Sequence, residues 1–188
     1  KDSIFGVGAD DGKLLWKAKW PGKTAVIPTP IFHEGLVYVT SGYGVGCNVF
    51  RVGKDNEVTP LYTGSETLKA MKNHHGGVIR LGKHIYGHSD GRGWICQELE
   101  SGKVVWSEKG ALGKGSIAYA DDHFYLRAES GEGTVALIEA TPEGYREKGR
   151  FDQPDRTKKN SWTHPIIAGG KMYLRDQDLL LCYDIKAR

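Results

Sequence analysis

Apolar and polar residues alternate along this chain in short runs, and nearly every run ends at glycine or at a pair of turn-forming residues. Trp94–Trp106 (WICQELESGKVVW) is the clearest case. It reads as a strand, a tight turn at Ser101-Gly102-Lys103, and a returning strand of β-branched and aromatic residues. The same pattern stands at Phe5–Trp16 (FGVGADDGKLLW), where Gly12, Lys13 and Trp16 take the places of Gly102, Lys103 and Trp106. One offset relates all three pairs, so the chain carries a repeat.

Between these hairpins the alternation predicts strands at Ala25–Phe32, Leu36–Thr40, Cys47–Val52 and Val58–Tyr62. The last is an outer strand, because Pro60 cannot donate to a ladder. A second unit begins with Gly77–Leu81 and His84–His88 and ends with the Trp94–Trp106 hairpin. A third comprises Ser116–Ala120, His123–Arg127, Thr134–Ala140 and Tyr145–Phe151. Asp152–Asn160 reads as a solvated polar connector, and His164–Ala168, Lys171–Leu174 and Leu179–Ile185 follow it. Tyr38, Tyr86, Tyr125 and Tyr173 stand at matching places in the second strands, 48, 39 and 48 residues apart. Four short strands in every ~40–45 residues are the mark of a β-propeller.

The expected fold class is therefore all-β: a β-propeller of four-stranded antiparallel blades, about four of them present in one segment over residues 1–188. Full blades fall at 24–64, 75–109 and 115–151, and partial ones at 1–20 and 161–188. Two arrangements satisfy this count. The chain is part of a larger, eight-bladed ring, or Leu14–Trp20 adds to Leu179–Ile185 and closes a four-bladed one. Closure would leave the Ser3–Ala9 strand redundant, which favours the larger ring. A start at Lys1, with neither Met nor signal peptide, agrees with an excised piece of a longer chain.

Composition narrows the function classes. Twenty-six glycines in 188 residues suit a turn-rich β chain. With 26 basic and 23 acidic residues the net charge of +3 is too balanced to point to nucleic acid. No run of ~18 apolar residues exists to span a membrane as a helix. Cys47, Cys96 and Cys182 lack CxxC spacing and fall in apolar strands, so they read as buried free thiols, with no metal site among them.

An apolar strand followed by Asp/Glu-x-Gly-Lys-x-x-Trp resembles the repeats of PQQ-like propellers, the quinoprotein alcohol dehydrogenase-like superfamily. Here the motif stands as ADDGKLLW at Ala9–Trp16, LESGKVVW at Leu99–Trp106 and a degenerate EATPEGYREKG at Glu139–Gly149. TSGYGVGC, NHHGG, SDGRGW and THP…YLRDQ…LLCYD are similar to the C-terminal part of bacterial PQQ-binding-like β-propeller repeat proteins. The resemblance covers nearly the whole chain. It implies an eight-bladed ring, export from the cytoplasm, and a structural role for Trp16 and Trp106 in docking neighbouring blades. It also implies one of two functions, since fold does not settle function. Some members are dehydrogenases that hold PQQ and Ca²⁺ over the central channel; others are scaffolds that bind protein and no cofactor.

In a propeller the innermost strands start beside the channel, and the loops between second and third strands rise to the same face. That places Ile27–Pro30, His74, His75, Lys114, Trp162 and His164 around one mouth, with Tyr43, Asp90, Arg92, Glu129, Arg175 and Asp176 on the adjoining loops. The candidate ligand-binding set is Tyr43, His74, His75, Asp90, Arg92, Lys114, Trp162, His164, Arg175 and Asp176. Adjacent His74 and His75 point to opposite sides of a strand, so the pair does not chelate one metal. There is no adjacent Cys-Cys pair of the kind quinoprotein dehydrogenases carry, and no evident Ca²⁺ ligand set. The leading expectation is an extracytoplasmic scaffold that binds a protein partner or a small acidic ligand, with no cofactor and no catalytic residue. The alternative is part of a PQQ- and Ca²⁺-dependent alcohol or sugar dehydrogenase, with Asp90 or Asp176 as base.

Overall fold

Two-residue hairpin loops set the architecture. Glu34-Gly35, Asp121-Asp122 and Gly169-Gly170 hold positive φ at both positions, from 47° to 76°. That is the turn whose twist matches the right-handed twist of the strands it joins. In three repeats such a loop connects the innermost strand to the second; in the fourth, Gly82-Lys83, only Gly82 holds positive φ. The computed structural model describes residues 2–186; residue 1 and residues 187–188, the outer ends of the two expected partial blades, lie outside it.

The first sheet has two strands, β1 (Ser3–Val7) and β2 (Leu14–Lys19). The second has four, β3 (Ile31–His33), β4 (Leu36–Ser41), β5 (Gly46–Val52) and β6 (Val58–Pro60), and is followed by a single helical turn, α1 (Ser65–Leu68). The third comprises β7 (Val78–Leu81), β8 (His84–Ser89), β9 (Gly93–Glu98) and β10 (Val104–Glu108). The fourth comprises β11 (Gly115–Ala120), β12 (His123–Ala128), β13 (Val135–Glu139) and β14 (Glu147–Phe151). A three-stranded sheet of β15 (Ile166–Ala168), β16 (Lys171–Asp176) and β17 (Leu179–Asp184) ends the described chain. All pairings are antiparallel meanders, the blades of a β-propeller. The sheets do not close into a ring: β2 pairs with β1 alone and β17 with β16 alone, so the four-bladed closure is not formed.

Innermost strands are shorter than the alternation suggests, for a reason visible in the residues. Pro28 and Pro30 have no N–H to give, and the ladder of β3 begins only at Ile31. Pro165 has the same effect before β15.

Tyr38, Tyr86, Tyr125 and Tyr173 each occupy the third position of a second strand, opposite Ile31, Ile79, Ala118 and Ile166. Period-two alternation then sends neighbouring residues to different cores. Leu36 and Tyr38 pack against Ile85 and Ile95 of the following sheet, while Val37 and Val39 pack with Ile4, Trp16 and Ala18 of the preceding one. The Tyr38 hydroxyl donates to Gln97 Oε1 across the joint at 2.8 Å. Four such cores lie between successive sheets. Trp106 reaches across one of them, its indole N–H on the Thr141 carbonyl at 3.1 Å and its ring edge-on to Tyr145. Trp16 lies half-buried between the first sheet and the second. Trp20, unnoticed in the sequence pattern, is buried and donates to Ser41 Oγ at 3.1 Å.

Two expectations need correction. Cys47 and Cys96 are buried free thiols, but Cys182 is exposed, because no strand or sheet among the described residues covers that side of β17. Asp152–Asn160 is a largely exposed loop, as expected of a connector, but it is not solvated throughout. Gln153 is buried, and Arg156, Thr157 and Gln153 converge on Asp176, which has no exposed surface. Arg156 Nη1 stands 2.6 Å from Asp176 Oδ2, and buried Arg127 donates to Gln153, to Thr163 Oγ1 and to the Arg175 carbonyl. Burial alone would raise the Asp176 pKa; the hydrogen bonds from Arg156, Thr157 and Gln153 outweigh it and hold the carboxyl at about 2.

Two consequences can be measured. Trp106→Ala should lower stability by about 3 kcal/mol in urea denaturation, the low end for a tryptophan because the ring is half-buried. A loss below about 1 kcal/mol would refute its inter-sheet role. Asp176→Asn should cost roughly 3–5 kcal/mol, since it leaves the Arg156 charge buried without its partner. The Asp176 contribution is present above pH 4 and disappears as pH falls through 2, because the folded pKa lies below the unfolded one.

Candidate functional site

The β4–β5 loop turns at Tyr43-Gly44, both at positive φ (56° and 75°), with the Val45 N–H on the Gly42 carbonyl. A bulky residue rarely adopts that conformation, and here it lays the Tyr43 ring over His74, with centroids 4.5 Å apart. Gly42 permits this, since a Cβ there would overlap the His74 imidazole. His74 and His75 lie just before β7, on a segment fixed by buried Asn73, whose amide bonds Gly77 and the His88 carbonyl. Gly76 brings this segment against β11: its carbonyl accepts from Ile117 N, and a side chain there would strike the Gly115 backbone.

From these supports a connected cluster arises. His74 Nε2 is 2.9 Å from Asp90 Oδ2 in the β8–β9 loop, and His74 Nδ1 is 3.1 Å from Lys114 Nζ ahead of β11. An ammonium only donates, so Nδ1 accepts and the ring proton sits on Nε2, facing Asp90. Lys114 Nζ also meets Glu129 Oε1 at 3.0 Å, and His75 Nε2 lies 2.7 Å from Glu129 Oε2 in the β12–β13 loop. Desolvation is the largest influence on His75 and pushes its pKa down, against the pull of Glu129. The contact is accordingly one between a neutral imidazole and a carboxylate. Trp162, ahead of β15, completes a row of rings at 5.4 Å from His75. His164 Nε2 is 3.1 Å from the His75 carbonyl, at a channel cleft of about 210 Å³ lined by β7, β11 and the segments just ahead of β3, β7 and β15.

Seven of the ten candidates thus come together: Tyr43, His74, His75, Asp90, Lys114, Trp162 and His164. Arg92 stands outside, paired loosely with Glu66 at 3.5 Å on the exposed rim. Asp176 belongs to the buried network beneath the mouth. Arg175 lies beside Trp162 at the end of β16, its Nε on the Gln177 carbonyl. Glu129, which joins His75 to Lys114, is the member that residue-type reasoning undervalued, since its loop SGEG reads as a plain turn. His88 was also missed. Burial drives its pKa down to about 4, in spite of Asp90.

Among the described residues, the carboxylates of this mouth are already engaged rather than free for a calcium ion. Ca²⁺ takes six to eight oxygens, whereas Asp90 is engaged by His74, Glu129 by His75 and Lys114, and Asp176 by Arg156. Among the described residues no three His, Cys, Asp or Glu converge on one point.

The His88 shift has a pH signature. Between pH 6.5 and 4 the unfolded chain takes up a proton that folded His88 refuses, so stability should fall by about 3 kcal/mol over that range and then level off. Urea midpoints at both ends should show His88→Gln spared this share; an equal decline in the variant would refute the assignment.

A family model described as outer membrane protein assembly factor BamB matches residues 1–108. No curated protein sequence matches. Among solved structures, BamB from Moraxella catarrhalis superposes with a TM-score of 0.67 at 11% identity, covering 96% of this chain and 52% of that one. The computationally designed Ika8 protein gives 0.66 at 11% identity, over 93% of this chain and 50% of that one. Quinohemoprotein alcohol dehydrogenase from Comamonas testosteroni gives 0.57 at 15% identity, over 80% and 29%. The chain spans about half the length of the first two, and at these identities the likeness concerns fold alone.

Proposed function

The chain belongs to the family of outer membrane protein assembly factor BamB, with PQQ-like propeller repeats, and we propose that it is an extracytoplasmic scaffold whose channel-mouth face binds a protein partner. One observation carries this reading. The ionisable groups at the mouth's centre pair with one another, though His75 Nδ1 stays buried without a partner, while aromatic rings flank them in the open: Tyr43 is 44% exposed and Trp162 59%. Exposed tyrosine and tryptophan on a rigid support are the side chains that protein interfaces use as anchors. A small acidic ligand at the mouth's centre would need a free cation there, and Lys114 is held by Glu129. Both candidate bases of the dehydrogenase alternative, Asp90 and Asp176, are engaged as well, which favours the scaffold. Extracytoplasmic placement rests on the family resemblance, and no helix among the described residues is long and apolar enough to cross a membrane.

A photo-crosslinking residue at position 43 should yield discrete protein adducts in cells, and one at Lys171, on the opposite end of the blade, should not. Titration with PQQ and Ca²⁺ in a dye-linked alcohol oxidation assay should give no turnover. Saturable PQQ binding with dye reduction that Asp90→Asn abolishes would sink the scaffold reading.

A further inference from the structure

Beside the mouth's ion-paired centre lies a patch whose charges are not matched. Trp162 turns one face to His75 and leaves most of its ring in solvent. Next to it opens a shallow cleft of about 360 Å³, lined by Trp162, Arg175, Asn160, Thr163 and Gln177. Arg175 is exposed on the rim, and its guanidinium uses only Nε, on the Gln177 carbonyl. The Arg175 carbonyl accepts from Arg127, Ser161 and Thr163, so its backbone is rigid and only the side chain is available. Gln177 Nε2 donates to the Asn160 carbonyl at 3.1 Å and pins the segment that carries exposed Lys158 and Lys159 to this edge. None of these three cations enters an ion pair among the described residues; Lys158 and Lys159 share this with other surface lysines, but the exposed arginines Arg51, Arg146 and Arg150 are all paired.

We propose that this patch takes an acidic, extended peptide segment of the partner, with an aromatic or aliphatic side chain on Trp162 and a carboxylate on the Arg175 guanidinium. The proposal rests on the scaffold reading and names the partner's chemistry. A guanidinium with its two terminal amino groups unpaired is the fork that accepts a carboxylate bidentately. Amide and hydroxyl groups of Asn160, Thr163 and Gln177 suit a peptide backbone, and the cleft has room for one side chain rather than for a folded surface. A neutral ligand would leave the cations unmatched. A nucleic acid would gain little from a chain whose net charge is +3 and whose nearby turn carries Asp178.

Calorimetry with the acetylated peptide Asp-Asp-Phe-Asp-Asp-Phe on the purified chain provides the test. Binding should weaken as salt rises, and Arg175→Ala and Trp162→Ala should each raise Kd about tenfold or more. Both side chains are exposed, so thermal midpoints should stay unchanged. Lys171→Ala, an equal charge loss on the opposite end, should leave Kd unaltered. Equal weakening by Lys171→Ala, equal binding of the lysine-for-aspartate peptide, or a thymidine dodecamer that outcompetes the acidic peptide would each overturn the proposal. So would a null titration; if the residue at position 43 still captures a partner, the scaffold reading survives that result.

Discussion

A twisted sheet of three or four short strands cannot bury either of its own faces, and everything else in this molecule follows from that constraint. Each sheet needs a neighbour on both sides. Alternation along a single strand therefore has to serve two cores at once, as β4 does with Leu36 and Tyr38 on one side and Val37 and Val39 on the other. The repeat is what makes this workable, because a residue type placed once per unit meets the same surroundings each time. The converse holds at the two ends of the described chain. Phe5 and Leu14 on the first sheet, and Ile166 and Leu180 on the last, are apolar residues 59% to 66% exposed, on faces that no further sheet covers.

Packing sheets face to face around an axis also forces their inner strands together, and that crowding produces the mouth. Gly76 and Gly115 let two backbones approach where no side chain fits. Chain ends of the inner strands and loops from the outer ones are then pushed into one shell, where polar groups lose water and must find one another. The outcome is a run of contacts from Asp90 through His74, Lys114 and Glu129 to His75. Desolvation outweighs Coulomb attraction at His75 and His88, which keeps imidazoles neutral in a site rich in charge.

Much of the fold was legible because its causes are local. Hairpin loops such as Asp121-Asp122 and Gly169-Gly170 declare themselves, and the four tyrosines mark register without any knowledge of tertiary structure. Mouth membership was legible for Tyr43, His74, His75, Asp90, Lys114, Trp162 and His164 for the same reason: in a repeat, position within the unit determines position in space. What stayed hidden depends on pairing between distant segments. Nothing in DQPDRTKKN announces that Gln153 and Arg156 turn inward, because the group they serve, Asp176, lies twenty residues away on another sheet. Arg127 carried the one available signal, a cation inside the apolar strand HFYLRA at a position that alternation assigns to the interior. Cys182 was misplaced for the opposite reason, since its strand looks like an inner one and only the absence of a covering sheet among the described residues exposes it.

Ion pairing sorts the polar residues of this face more sharply than burial or residue type does. Lys114 and Arg175 are both cations at the end of an inner or second strand, and both looked equally fit to grip an anion. Glu129 neutralises the first within 3.0 Å, so binding an anion there would require breaking an existing pair and leaving a nearly buried carboxylate unmatched. Arg175 faces no such penalty, as its carboxylate neighbour in sequence, Asp176, points into the core and is claimed by Arg156. Period-two alternation thus does two things at the end of β16. It directs the anion inward to hold the last sheet in place, and it leaves the adjacent cation outward with nothing to hold. The same strand end supplies rigidity on one face and an unmatched charge on the other, and a recognition surface needs both.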